Sequence, residues 1–589
     1  MGPVRIWGAV AVGFLSFVAY VLCAAVTPYP LDSAELATAA FGLGVAHPPG
    51  EETTLLLGKL FTLLPLGNVA FKVALSQAVA GSLAAVLAYL LVLEAGGRIT
   101  LVTEALGEKT RVLIAAATAL AFAYAPGVII VSNRPEVYAT QTALSLGALW
   151  LALRAYHEDE PRSTFTAALL IGFGIGNHSL VAGLVGLGAV AAALPLLMRS
   201  PAKARFLALA VAAFAIGLLV HSYIPLRTAS LFAAADRGVD NVLWGDGRTL
   251  SGLWWVVSAR TFAEKTGIVH GNASPADLPF LPIEELTTIF AVIAPAGAYF
   301  LVRHAKSRTA GIALLIGAAG SMLAALAGGL DPGNPDIRGY LGPAFALIAV
   351  FSGVAITVGT ALFRLPRLRV ALALVFLASA LSRFPTPSEY PGLRHAHAVD
   401  RQTRLLLSAL PLRAALFTHH FETGFLVGYQ RLVEGARPDV SWAHLPFAPN
   451  PSYAARVRRG RPELTSVIDA YRAHTGLGEA WAKLEVDHPV RIEPSTVMME
   501  QANLHPAGQL WALLETPATV ERWLPLDASA LDEAAQDRQV RGYLAWRRYI
   551  DASYACRRGF RERAHADFAE LDKLVPEDQR LRELRERCE

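Results

Sequence analysis

Apolar runs recur along the first two thirds of the chain, separated by short polar breaks. A helix needs about 20 such residues to cross the hydrocarbon core of a bilayer, and by that criterion about eleven candidate spans appear. They centre near Phe17, Val79, Leu120, Leu144, Phe173, Val190, Ala213, Ile293, Ile316, Ala346 and Phe376. Only Asn177 and His178 interrupt the pair around Phe173 and Val190, and the last run is short. The first run, Ile6 to Val26, follows Arg5. It is longer than the roughly 7–15 apolar residues of a signal-peptide core, so it reads as the first transmembrane helix. The pattern predicts a mainly α, polytopic transmembrane bundle.

Beyond Arg383 no further span appears. Tyr390-Pro to Pro411 reads as a linker, and Leu412–Tyr429, with Ala414-Ala-Leu-Phe417, as a strand followed by a helix. Ala528–Tyr554 and Cys556–Glu586 carry Ala, Leu and Arg at helical spacing. With the break at Lys573-Leu-Val-Pro576 they resemble a tetratricopeptide-type helical pair. The expected organisation is a transmembrane domain over residues 1–382, a soluble α or α/β domain over 383–525, and a helical tail over 526–589.

Composition agrees with lipid contact. Hydrophobic residues make up 54% and charged residues 17%, against about 25% charged in soluble globular chains. A net charge of +4 is too small to argue for nucleic acid as a partner. The placement of the charges says more. Alternate connections carry Arg98, Lys109 and Arg111; Arg154 and Arg162; Arg199, Lys203 and Arg205; Arg303, Lys306 and Arg308; and Arg364, Arg367 and Arg369. Short Lys/Arg-bearing loops stay cytoplasmic, whatever acidic residues accompany them. The N-terminus joins that side. An odd number of spans then puts the C-terminal domain outside an integral membrane protein of the cell or inner membrane. Cys23 reads as a small hydrophobe in a span. Cys556 and Cys588 could pair in an oxidising compartment.

The opposite connections hold the residues suited to chemistry. They contain Asp32-Ser-Ala-Glu35, His47-Pro-Pro-Gly50, Asn133-Arg-Pro-Glu136-Val-Tyr138, Gly176-Asn177-His178, Tyr223-Ile-Pro-Leu-Arg227, Trp244-Gly-Asp246 and Asp331-Pro-Gly-Asn-Pro-Asp336-Ile-Arg338-Gly-Tyr340. Asp32 and Glu35, three apart at a helix start, share one face. The spacing fits either a capping box or a catalytic pair. Glu136 and His178 abut spans, where an ionisable group costs at least ~2.5–3.5 kcal/mol unless it lies at the interface. Arg227 and Arg338 suit a phosphate through the guanidinium fork, or snorkelling, or pairing with Asp246 or Asp336. Tyr138, Trp244 and Tyr340 fit an aromatic belt more readily than a sugar platform. His419-His420 with Glu422 lacks zinc-ligand spacing. Asn177-His-Ser and Asn272-Ala-Ser match the short glycosylation pattern. No P-loop, Gly-x-Ser-x-Gly elbow or dinucleotide fingerprint is present.

Asp32-Ser-Ala-Glu-Leu-Ala-Thr-Ala-Ala-Phe-Gly-Leu-Gly-Val-Ala-His-Pro-Pro-Gly50, Leu57-Gly-Lys-Leu-Phe-Thr-Leu-Leu-Pro65 and Gly67-Asn-Val-Ala-Phe-Lys72 closely resemble a membrane family long known only as a domain of unknown function. That family is related to protein O-mannosyltransferases and includes a eukaryotic O-mannosyltransferase acting on cell-surface receptors. Glu136-Val-Tyr138, Gly176-Asn-His178, Pro225-Leu-Arg227, Trp244-Gly-Asp246 and Asp336-x-x-x-Tyr340 look like its later landmarks. Glu51 and Glu52 stand where the family often has Tyr-Pro, and Pro135 precedes Glu136.

The resemblance implies a GT-C glycosyltransferase. Such an enzyme moves a hexose, mannose-like, from a polyprenyl-phosphate donor to a hydroxyl on a protein or glycan acceptor at the external face. On that reading Asp32 is the base, and Glu35 positions it or replaces it. His47, Glu136, Tyr138, Asn177, His178, Arg227, Asp246, Asp336, Arg338 and Tyr340 line the donor-phosphate or substrate site. No essential cofactor is expected, though the carboxylates leave a divalent metal open. Two other classes fit the residues without the resemblance. A transporter or flippase of a lipid-linked substrate would also place polar groups in spans, and a membrane-anchored binding scaffold would work through the external tail.

Overall fold

The computed structural model describes residues 2–234, 239–262, 275–331, 334–386, 393–495, 504–513 and 524–588. Asn272 and the Tyr390-Pro start of the linker lie outside the described residues. The N-terminal part runs through α1 (Pro3–Cys23), α2 (Ser33–Gly42), α3 (Glu52–Thr62), α4 (Val69–Gly96), α5 (Thr100–Ala105), α6 (Glu108–Ala123), α7 (Pro126–Ser132), α8 (Tyr138–Glu158), α9 (Pro161–Arg199), α10 (Lys203–Leu218) and α11 (Tyr223–Ala233). Long helices follow at Thr288–Arg303, Arg308–Ala327, Gly342–Ala361 and Pro366–Leu381. Every apolar run centred in the sequence falls inside one of these helices. Among the described residues six helices are long and apolar enough to cross a membrane, or seven if α6 and α7, bent by 70°, form one span.

Local sequence explains the breaks. Pro126 begins α7, and Ala125 before it is extended (φ −65°, ψ 132°), because a residue preceding proline is pushed out of the helical region. Helix α9 has 39 residues, about 58 Å if straight, roughly twice the hydrocarbon thickness. It is not straight. His178 leaves helical geometry (φ −151°, ψ 92°) and the chain doubles back. A Cβ on Gly174 would lie 3.1 Å from the Ala182 Cβ, and one on Gly186 would lie 3.3 Å from Ile171. The runs around Phe173 and Val190 are therefore the two arms of a helical hairpin. Glycines also bring neighbours close, as small residues do between helices in lipid. A Cβ on Gly172 of α9 would sit 2.4 Å from the Phe214 carbonyl oxygen of α10.

The alternate loops collect at two poles. At one, Arg5 donates to Glu108 at 2.9 Å, while Glu94 takes Arg98 at 2.9 Å and His157 at 2.5 Å. Arg199 lies over the Tyr156 ring, and Arg369 donates to the Ala105 carbonyl. The other pole is built from α2, α3, the His178 turn, the start of α8 and the short helix Pro335–Tyr340.

The C-terminal domain sits on that second pole. Its sheet has the order β2-β1-β3-β5-β4, from β1 (Ala415–Thr418), β2 (Ser441–His444), β3 (Val490–Ile492), β4 (His505–Ala507) and β5 (Leu510–Ala512). Strands β2, β1 and β3 are parallel, with Leu416 opposite Trp442 and Arg491. The helix Phe421–Leu432 leaves β1 and packs on α2, and one apolar core runs from α2 into the sheet and the tail. The Ala70 amide donates to the Tyr429 hydroxyl at 3.2 Å, and Arg431 pairs with Asp240 at 3.1 Å. The tail divides differently from the spacing: Ala528–Gln536, Arg538–Arg558, Arg561–Leu574 and Gln579–Cys588. The Asp537 carboxylate caps the second helix, and Gly559, at φ +77°, ends it, a conformation glycine adopts without penalty. Cys556 and Cys588 form a disulfide.

Candidate active site

Between the two parts of the molecule lies a knot of ionisable side chains centred on His47. Asp32 is the residue before α2, and Glu35 is in its first turn. The Asp32 side chain forms no capping bond to the helix, so the capping-box alternative is not what these residues do. Glu35, wholly buried, accepts the His47 amide at 2.7 Å and faces the His47 ring Nδ1 at 3.0 Å. The other ring nitrogen, Nε2, lies 3.1 Å from Glu51 and 3.9 Å from Asp32. Glu35 thus fixes the imidazole, and the imidazole ties Glu51 and Asp32 to one point.

Asp32 keeps 37% of its side-chain surface accessible, while Glu35 and Glu51 keep 0% and 2%; of these three only Asp32 can meet an incoming group. Burial beneath the C-terminal domain still pushes its carboxyl pKa up, against the pull of His47. Burial drives Glu51 up to about 7. Burial alone would lower the His47 pKa, but the carboxylates of Glu51, Glu35 and Asp32 outweigh it and hold it well above its ordinary value. The three carboxyl groups around the ring thus favour the protonated imidazole.

A second ion cluster adjoins the first. Arg134, with no exposed surface, lies 3.0 Å from Glu136 and donates to Asp336, and its guanidinium faces the Tyr29 ring at 5.6 Å. Burial raises the pKa of both carboxyl groups despite the arginine. Tyr138, His178 and Tyr340 form a ring cluster, with centroids 4.6–5.5 Å apart. Trp244 meets His47 edge-on at 6.3 Å and stacks near-parallel on Phe421 at 5.9 Å. These aromatics flank the charged cluster and are not a peripheral belt, contrary to the reading from their place at span ends.

Other candidates serve elsewhere. Asn177 accepts from the Thr54 amide and hydroxyl at 3.2 and 2.6 Å and donates to the Val137 carbonyl and Gln141; it locks the hairpin turn to α3 and α8. Arg227 donates to the Leu43 and Gly42 carbonyls at 2.7 and 3.3 Å, capping the far end of α2. That ten-residue helix separates it from Asp32 by about 15 Å, so it is not brought to the Asp32 group. Arg338 pairs with Glu285 at 2.5 Å, and Asp246 with Arg248 at 2.8 Å, so the expected pairing of the arginines with Asp246 or Asp336 does not form. Sequence reasoning named Arg134, Glu51 and Glu422 but gave them no place in the site. The signals were an arginine three residues beyond an apolar run and two consecutive glutamates after His-Pro-Pro-Gly.

Asp32, Glu35 and His47 each place a potential metal-ligand atom within 4.8 Å of the others. They form the one such group among the described residues. Both His47 ring nitrogens already face carboxylates.

Residues 32–205 match the family model for the protein O-mannosyl-transferase TMEM260 N-terminal domain. The match starts at Asp32 and contains Glu35, His47, Glu51, Arg134, Glu136 and His178. ArnT from Cupriavidus metallidurans, solved bound to undecaprenyl phosphate, shares the architecture with a TM-score of 0.53 at 14% identity, over 87% of this chain and 98% of that one. The chain has the GT-C fold, and its residues 32–205 resemble the O-mannosyl-transferase family segment. The protein O-mannosyl-transferase TMEM260 of Mus musculus is 27% identical over 438 residues, 70% of this chain, and the match spans 58% of that relative's length. A weaker likeness, TM-score 0.43 at 13% identity, links 84% of this GT-C chain to 70% of the archaeal oligosaccharyltransferase AglB from Archaeoglobus fulgidus.

Proposed function

We propose that this protein transfers a hexose from a polyprenyl-phosphate donor to a hydroxyl of a protein or glycan acceptor. The observation that carries the reading is Asp32. It is an accessible carboxylate at the head of α2, inside the segment shared with the O-mannosyltransferase relatives, and held against His47, which the buried Glu35 and Glu51 grip. A raised carboxyl pKa makes it a better proton acceptor at neutral pH. Asp32 takes the acceptor proton as the hydroxyl attacks the anomeric carbon in a single inverting displacement. Glu35 orients His47, and a proton on that imidazole favours the ionised form of Asp32 and holds it in place. The departing lipid phosphate is anionic and calls for a fixed cation; His47, partly exposed and 3.9 Å from Asp32, is the group placed for it, whereas the wholly buried Arg134 offsets Glu136 and Asp336. The site and the C-terminal domain face the external side, and the pole with Arg98, Lys203 and Arg367 faces the cytoplasm.

The test is transfer from polyprenyl-phosphate mannose to a Ser/Thr peptide in proteoliposomes. Asp32→Asn is expected to lower kcat by at least about 10²-fold, and Glu35→Gln to lower it less. Wild-type rates in both variants would sink the assignment. The chelator response of the same assay reports whether the Asp32–Glu35–His47 group works with a divalent metal.

A further inference from the structure

The segment joining α1 to α2 is gripped by the C-terminal domain at alternate residues. The Thr27 hydroxyl donates to the Ala396 carbonyl at 3.0 Å. The Tyr29 hydroxyl reaches both carboxylate oxygens of Asp537 at 2.9 Å. The Leu31 amide donates to Glu422 at 3.1 Å. From the membrane side the same segment is held by Asn133, whose carbonyl accepts the Ala25 amide at 2.7 Å, by Asn68, which donates to the Val26 carbonyl, and by the Pro135 carbonyl, which accepts from Ser33 at 3.0 Å.

The link from Leu31 to Glu422 matters most. Leu31 sits at φ +70°, a region that costs a non-glycine residue of order 1–3 kcal/mol unless its surroundings impose it. Asp32 follows directly. The carboxylate of Glu422 meets the amide of this strained residue, and the strain decides the direction in which the chain enters α2 and hence where Asp32 points. Glu422 itself is in the first turn of the helix that leaves β1, so the sheet of the C-terminal domain sets its position.

We propose that the C-terminal domain is part of the catalytic apparatus, with Glu422 and Asp537 acting as positioning residues that clamp Tyr29–Leu31 and aim Asp32. This rests on the assignment of Asp32 as the base. It differs from a role in presenting the acceptor, because it predicts a loss of chemistry and not of acceptor affinity.

Glu422→Ala removes the acceptor for the Leu31 amide. Displacing a reacting group by about 1 Å costs roughly 10²-fold in rate, so kcat for transfer from polyprenyl-phosphate mannose to a Ser/Thr peptide is expected to fall 10- to 100-fold. The KM for donor and peptide should stay within about twofold, as uniform binding is untouched. Glu422→Gln keeps a carbonyl oxygen for the same amide and should recover most of the loss. Tyr29→Phe, which breaks the Asp537 contact, should act in the same direction and add little to Glu422→Ala in the double variant. Hydrogen exchange of the peptide covering residues 27–35 reads the clamp without activity, and Glu422→Ala should speed it while Asp32→Asn leaves it unchanged. Unchanged kcat with wild-type exchange in Glu422→Ala overturns the clamp, and so does a loss confined to the peptide KM. Full activity in Asp32→Asn with faster exchange in Glu422→Ala would instead overturn the base assignment and leave the clamp standing.

Discussion

Arg134 offers the sharpest test of how this protein holds charge beside a membrane. Its side chain is fully buried, with Glu136 at 3.0 Å and Asp336 bonded to the same guanidinium nitrogen, and those partners are 3% and 14% exposed. At 3 Å and an effective dielectric of about 20, one such pair is worth roughly 5 kcal/mol of Coulomb attraction. The desolvation of both ions offsets most of it. Arg134→Met removes the attraction and leaves the desolvation, stranding two carboxylates. Breaking a buried pair in this way costs about 3–5 kcal/mol. The stranded carboxyl groups can escape by taking protons, and their pKa values already lie above the ordinary range through burial. The loss should therefore be near its full size at pH 8 and smaller at pH 5. Reversible SDS titration in mixed micelles, followed by tryptophan fluorescence at both pH values, measures it. Arg134→Met combined with Glu136→Gln and Asp336→Asn should regain most of the stability, because it removes the stranded charge as well. A full loss that is the same at pH 5 and pH 8, or no recovery in the triple variant, would refute the electrostatic account.

Further expectations follow from packing and protonation. Gly172→Val must push α9 from α10, since even a Cβ there would lie 2.4 Å from the Phe214 carbonyl and 2.8 Å from the Gly217 Cα; the same titration should show a loss of about 1–3 kcal/mol. Gly359→Ala, in the helix Gly342–Ala361 with nothing within 4 Å of the added carbon, should gain about 0.5–1 kcal/mol. Burial lifts the Glu422 pKa from 4.5 to about 7, with Asp32 and Asp336 adding to it. Between those values the folded state binds more protons than the unfolded one, so stability falls as pH rises from 4.5 to 7, by up to about 3 kcal/mol. Glu422→Gln should flatten that part of the stability profile, and an unchanged slope would place the titrating group elsewhere.

The sequence by itself determined the membrane class, the positions of the apolar helices and the division of the loops into a basic set and a chemically rich set. These are one-dimensional properties: an apolar run of sufficient length must be a helix in lipid, because every backbone group has to bond within its own segment. The hairpin in α9 was legible as well, since Asn177 and His178 were the only polar break in a run too long for one crossing. The pairing of Asp32 with Glu35 was close enough in sequence to be seen. What joins Asp32 to His47 and Glu51 is the return of the chain after α2, and no periodicity announces it. Tertiary structure alone decided that Arg134 would neutralise Glu136 and Asp336, while Arg227, which has the same chemistry and also stands beside a span, would cap a helix end ten residues away from the base. It alone brought Glu422, nearly 400 positions along the chain, to the amide of Leu31. The physical reason is common to both cases. Which buried charges find partners depends on how helices and sheet pack in three dimensions, and the cost of leaving one unpaired is too large for the fold to allow it.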